Sequence, residues 1–186
     1  MTDSSRICSW KIAFALDNPI RRFIHNPQKI LGGIIEPGQI VLDLGCGPGT
    51  FSLAMAKMVG ESGKVIAVDV QEEMLQIVRE KAAQQGLESR IVTRKSDPER
   101  IGISEKVDFA LAFYMVHEVP NAEAFLKEVA SVLKPKGRLL IVEPKMHVSA
   151  AAFEKTIEVA RQAGLSPISE PKIRFSRSKL FQLSRR

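Results

Sequence analysis

The chain has 186 residues, 45% of them hydrophobic and 26% charged, which is the balance of a globular protein rather than of a disordered or fibrous one. Two cysteines, Cys8 and Cys46, are too few for a disulfide framework or a cysteine-rich zinc site, so a reducing, cytoplasmic setting without a metal site is expected. The net charge of +6 divides into +3 over residues 1–35, −2 over 36–150 and +5 over 151–186, and basic ends without aromatic interleaving argue against nucleic acid as a partner.

The length fits one domain spanning 1–186. Residues 1–35 are expected to form a helical N-terminal lid and 36–186 the core. The longest apolar stretch near the start, Ile12 to Leu16, is too short for a membrane span or a signal peptide. A short helix is expected to break before Pro19. A second starts at Pro27 with Asn26 as cap, its apolar residues Ile30, Leu31, Ile34 and Ile35 at helical spacing. The turn Glu36-Pro37-Gly38 then launches an apolar strand that ends Val41-Leu42-Asp43-Leu44. After it comes Gly45-Cys46-Gly47-Pro48-Gly49-Thr50, three glycines at alternate positions leading into a helix with Phe51, Ala54, Met55, Met58 and Val59 on one face and Gly60 as its stop.

Lys64 to Val70 reads as a second buried strand ending in an acid. Its helix buries Met74, Leu75, Val78 and Ala82 and stops at Gly86. Arg90 to Lys95 is a third strand, followed by Ser96-Asp97, and Val107 to Tyr114 a fourth. Asn121 caps a helix with Ala122, Phe125, Leu126, Val129, Ala130 and Leu133 on one side. Gly137 to Pro144 is a fifth strand and Ser149 to Ala163 a further helix. Leu165 to Leu183 supplies two short strands around Pro171 and Phe175-Ser176-Arg177.

Strands alternating with helices define an open, mostly parallel, doubly wound α/β sheet, in which ligands bind beyond the carboxyl ends of the strands. Those ends carry Asp43 to Gly49, Asp69, Asp97, Tyr114 to Asn121 and Glu143-Pro144. Two cofactor readings compete for the glycine loop. A dinucleotide fingerprint needs its third glycine at position 50, where this chain has Thr50, the glycine falling one residue early at Gly49. Asp43, directly before the loop, would repel a pyrophosphate and suit a cationic ligand. Asp69 serves a ribose in either reading.

Residues 41 to 50, Val65 to Val70 with Met74-Leu75, Ser96-Asp97, His117-Glu118-Val119-Pro120-Asn121 and Leu133 to Arg138 together resemble the class I S-adenosylmethionine-dependent methyltransferases. Within that family the chain is similar to the small branch that includes ubiquinone and menaquinone C-methyltransferases. The resemblance implies a Rossmann-like, seven-stranded, mostly parallel sheet with a C-terminal antiparallel hairpin, and S-adenosylmethionine as cofactor. It also implies that Gly45, Cys46, Gly47 and Gly49 lie along the methionine moiety, with Asp43 near its ammonium group. On the same basis Asp69 would accept both ribose hydroxyls, Val70 and Met74 would lie at the adenine, Asp97 would accept from the adenine amino group, and Phe113 with Tyr114 would line the sulfonium region.

His117, following the fourth strand, is the leading candidate for a catalytic base, because an imidazole titrates near neutrality. Glu118 and Glu143 are secondary candidates. The chain lacks the Asn/Asp-Pro-Pro-aromatic motif of base amine methylases, having Ala112-Phe113-Tyr114-Met115 there, and it has no nucleophilic cysteine near that strand. A small-molecule acceptor is therefore expected, its pocket walled by Trp10, Phe14, Arg21, Arg22 and Lys145 to Val148. An RNA methyltransferase using the basic ends and a non-catalytic cofactor-binding domain are the alternatives.

Overall fold

The computed structural model describes residues 24–184. The expected lid therefore lies largely outside the described residues, as do the expected pocket residues Trp10, Phe14, Arg21 and Arg22. In chain order the elements are α1 (Pro27–Leu31), β1 (Ile40–Leu44), α2 (Thr50–Val59), β2 (Lys64–Asp69), α3 (Glu72–Gln84), β3 (Ile91–Lys95) and β4 (Val107–Phe113). A 3-10 turn (Val116–Glu118), α4 (Ala122–Val132), β5 (Leu133–Pro144), α5 (Ala150–Gln162), β6 (Leu165–Ser169) and β7 (Ser176–Leu183) follow.

Among the described residues the strands form one seven-stranded sheet in the order β3-β2-β1-β4-β5-β7-β6. The first five pair in parallel. β7 runs antiparallel to both β5 and β6, so the C-terminal hairpin closes one edge of the sheet. The open, mostly parallel α/β sheet expected from the strand–helix alternation is present, as is the Rossmann-like, doubly wound seven-stranded form that the resemblance implies, and the strand order reverses between β1 and β4.

Side-chain alternation along the strands builds a core on each face of the sheet. Val41, Val65, Ala67, Phe109, Leu111, Leu140 and Val142 pack with α2 and α3 on one face. Leu42, Leu44, Ile66, Val68, Ala110, Ala112, Leu139 and Ile141 pack with α4 and α5 on the other. Burial on both sides is why these strands read as apolar runs rather than as alternating patterns.

Three local readings are corrected. α1 ends at Leu31 and leaves Ile34 and Ile35 in a turn, because Gly32-Gly33 interrupts it and Gly33 takes a φ of 76°. α2 buries Phe51, Met55 and Val59 of its expected face together with Ser52, Leu53 and Ala56, and leaves Ala54 and Met58 only half-buried, since it sits between β1, β2 and α3. Leu133, expected on α4, instead opens β5: its φ of −69° and ψ of 139° are extended, it pairs with Val107, and an irregularity then shifts the register so that Phe109 pairs with Arg138.

Candidate active site

The glycine loop crosses the carboxyl ends of β1 and β2, at the point where the strand order reverses. All three of its glycines have positive φ: 63° at Gly45, 50° at Gly47 and 84° at Gly49. This is the left-handed region, which costs a side-chain-bearing residue energy. A Cβ at Gly45 would come 3.0 Å from Met115, and one at Gly49 would come 2.9 Å from Val78. A Cβ at Gly47 would meet nothing within 4 Å. A side chain at Gly45 or Gly49 would thus crowd Met115 or Val78, whereas exposed Gly45 and half-buried Gly47 leave bare backbone open to a ligand.

Asp69, at the end of β2, ties the loop down. One carboxylate oxygen accepts from Gly47 N at 2.8 Å and the other from Gln71 N at 2.9 Å. Each oxygen keeps a further lone pair for a ligand hydroxyl. Cys46 N donates to Val68 O at 2.9 Å, a second tie between loop and β2. Burial raises the Asp69 pKa, and the backbone donors at Gln71 and Gly47 oppose that rise.

The other expected cofactor residues occupy three different settings. Asp43 is buried, its carboxylate accepting from Ser52 Oγ on α2 at 2.5 Å, and desolvation raises its pKa from 3.8 to about 7. The Cys46 thiol is buried and its pKa is pushed well above the usual value by desolvation, which keeps it a thiol rather than a nucleophilic thiolate. Met74 is buried on the inner face of α3, whereas Val70 is half-exposed and Asp97 exposed, in an isolated pairing with Arg100. Phe113 sits in an aromatic stack, with ring centroids 4.4 Å from Phe51, 4.5 Å from Tyr114 and 5.3 Å from His25.

Beyond the end of β4 the structure brings together groups that are remote in sequence. His117 lies on the 3-10 turn with its Nδ1 2.5 Å from Glu143 Oε2, and its backbone N donates to Glu143 Oε1 at 3.2 Å. Glu143 is 1% exposed at the end of β5, so both of its oxygens are committed to orienting one histidine. The hydrogen bond accepted by the Glu143 carboxylate raises the His117 pKa above its usual value, against the opposing effect of burial. His117 Nε2 lies 3.9 Å from Glu118 Oε1, beyond hydrogen-bond reach, and the His147 ring stands 6.0 Å from the His117 ring.

A second linkage is Tyr114, held at a φ of 62°, whose hydroxyl lies 3.1 Å from His25 Nε2 and 2.6 Å from Ser176 Oγ. The sequence offered His117, following the fourth strand, and Glu143, ending the fifth, as separate base candidates, and only the fold joins them as a pair. Nothing local marks the Tyr114–His25–Ser176 cluster, since His25 lies 89 residues from Tyr114 along the chain.

The donor set suits a cofactor bearing a ribose, an adenine and an amino acid. Bare backbone at Gly47 offers close approach, the Asp69 carboxylate retains acceptor capacity for a diol, and half-exposed Val70 stands directly beyond it. A doubly wound α/β sheet with such a loop at its switch point is a nucleotide-type cofactor domain, and an acid buried beneath the loop separates it from pyrophosphate binders. The family model described as "Methyltransferase domain" matches residues 35–170, and the chain belongs to that family.

Among similar proteins, a demethylmenaquinone methyltransferase of Lactobacillus johnsonii is 34% identical over 110 residues, covering 59% of this chain and 45% of the relative. A ubiquinone/menaquinone biosynthesis C-methyltransferase UbiE of Hydrogenovibrio crunogenus is 31% identical over 110 residues, covering 59% and 43%. The chain thus spans less than half the length of those curated relatives. Among solved structures, a SAM dependent methyltransferase from Aquifex aeolicus superposes with a TM-score of 0.85 at 28% identity, covering 95% of this chain and 100% of that one.

Proposed function

We propose that this chain is an S-adenosylmethionine-dependent methyltransferase acting on a small-molecule acceptor of the quinol type, in the cytoplasm, with no nucleic acid as partner. The observation that carries this reading is the glycine loop tied to the Asp69 carboxylate at the switch point of the sheet. The quinol class follows from the similarity to menaquinone and ubiquinone C-methyltransferases.

Gly45, Cys46, Gly47 and Gly49 would hold the methionine portion against bare backbone, with Asp43 beneath the loop as its buried charge partner. Asp69 would take the ribose, Val70 the adenine face and Asp97 the adenine amino group. Met74 would support Val70 from the core, and Phe113 would back the sulfonium region from its stack. When bound, the cofactor supplies an already activated methyl group, so the protein's share is orientation, desolvation and proton removal.

Methylation of a quinol ring carbon forms a carbon–carbon bond, breaks the sulfonium carbon–sulfur bond and releases one proton. His117 is the residue to take a proton from the acceptor, through Nε2, since Nδ1 is engaged by Glu143. Glu143 is a positioning residue: it fixes the ring and stabilises the imidazolium that forms.

The test is calorimetry of S-adenosylmethionine with the wild-type chain and Asp69→Ala, together with transfer of labelled methyl groups to demethylquinols. We expect the variant to lose at least about tenfold in affinity, the loss of one charge-assisted interaction. Unchanged cofactor affinity in Asp69→Ala would remove the loop assignment, and transfer to RNA but to no quinol would remove the acceptor class.

A further inference from the structure

Three large hydrophobic side chains are exposed among the described residues: Met146 at 91%, Phe175 at 57% and Ile168 at 49%. Two of them sit together. Met146 lies in the turn after β5 and Phe175 in the turn before β7, and the turns are stitched by a hydrogen bond from Lys145 N to Phe175 O at 3.0 Å. Phe175 has a φ of 59°, a left-handed conformation that an aromatic residue rarely adopts. It is the third residue of a turn closed by Ser176 N donating to Ile173 O at 3.1 Å, a position that takes a positive φ, and its side chain is exposed.

The same two turns carry exposed Lys145, Lys172 and Arg174, and none of the three is in an ion pair among the described residues. The Arg174 guanidinium lies 5.2 Å from the Phe175 ring centroid. Two acids lie nearby: Glu170, which is ion-paired with Lys179 at 2.8 Å and also attracts Lys145, and Glu154 on α5, which lines the same cavity. An exposed apolar tip flanked by three exposed cations, against two nearby acids, matches the chemistry of an anionic bilayer, with acyl chains for the apolar groups and phosphates for the basic ones.

We propose that the Met146 and Phe175 turns dock this protein on the surface of an anionic phospholipid bilayer. Met146 and Phe175 enter the acyl boundary while Lys145, Lys172 and Arg174 contact headgroup phosphates. No helix among the described residues is long and apolar enough to cross a membrane, so the contact is peripheral. It also lies at the candidate active site: Ser176, next to Phe175, bonds the Tyr114 hydroxyl, and His147, next to Met146, stands beside His117. Docking would thus set the acceptor side of the site against the lipid, where a lipophilic acceptor is held. That last consequence rests on the proposed acceptor class, whereas the docking itself does not.

The test is flotation of the full chain with vesicles of phosphatidylglycerol and phosphatidylcholine, against vesicles of phosphatidylcholine alone. The expected result is binding to the anionic vesicles that weakens steeply with salt. The pair Met146→Ser and Phe175→Asn should weaken it at least about tenfold, and each of Lys145→Gln, Lys172→Gln and Arg174→Gln about fivefold. Asn tolerates the left-handed backbone better than Phe, so that variant folds at least as well. Equal binding to both vesicle types, or variants that bind anionic vesicles as the wild type does, would overturn the proposal. So would loss of RNA binding in the variants with vesicle binding intact, which would mark the patch as a nucleic-acid surface. If the wild type floats with anionic vesicles yet transfers no methyl group to a quinol, the docking stands and the acceptor class falls.

Discussion

Replacing Asp43 by Asn tests the electrostatics beneath the glycine loop. In the folded chain the carboxyl is buried, and desolvation lifts its pKa from 3.8 to about 7. Between those values the folded state holds a proton that the unfolded state has lost. The stability from protonated Asp43 is therefore complete below pH 3.8 and disappears as the pH climbs through about 7. At about 1.4 kcal/mol per pH unit, a window of about three units corresponds to about 4 kcal/mol, of which about 2 to 3 kcal/mol falls between pH 5 and pH 8.

Asn keeps an oxygen to accept from Ser52 Oγ and never ionises. Urea unfolding of the cofactor-free chain at pH 5, 6, 7 and 8 should thus show the variant gaining on the wild type by about 2 to 3 kcal/mol over the series. His117 also has a raised pKa but titrates in both proteins and cancels in the difference, whereas Asp69, which repels ionised Asp43, ionises more easily in the variant and adds to its gain at higher pH. Parallel stability curves would refute the argument and mean that Asp43 is ionised at no cost.

Glu143→Gln should lower the His117 pKa, because the carboxylate hydrogen bond that raises it is gone. The acid limb of the kcat/KM profile should move to lower pH while the plateau falls about tenfold to a hundredfold, whereas a purely structural role would lower the plateau and leave the midpoint in place. Gly49→Ala forces a side chain into a φ of 84° and 2.9 Å from Val78, and thermal unfolding should show a loss of about 2 to 3 kcal/mol. Phe109→Ala empties a fully buried site in the middle of β4, and denaturant unfolding should show a loss of about 3 to 5 kcal/mol.

The glycine loop, Asp43 and Asp69 were legible because they are consecutive or closely spaced and sit at strand ends that apolar runs mark unambiguously. Strand and helix positions were legible for the same reason, with errors where local signals competed. Gly32-Gly33 ended α1 before its apolar period did, and Leu133, helical by period, went to β5 because Val107 offered it a strand partner.

What the sequence by itself determined is the set of elements, their alternation and the loop at the switch point, all consequences of periodicity and of backbone preferences within a few residues. Only the tertiary structure decided which polar residues act together. His117 meets Glu143 because β4 and β5 are parallel neighbours, with Phe113 level with Val142, so the turn that follows β4 and the last residues of β5 converge at one end of the sheet. Tyr114 meets Ser176 because β7 returns antiparallel beside β5, and the same return carries Phe175 to Lys145. Pairing across a sheet joins residues far apart in the chain, and no local pattern encodes which strands will be neighbours.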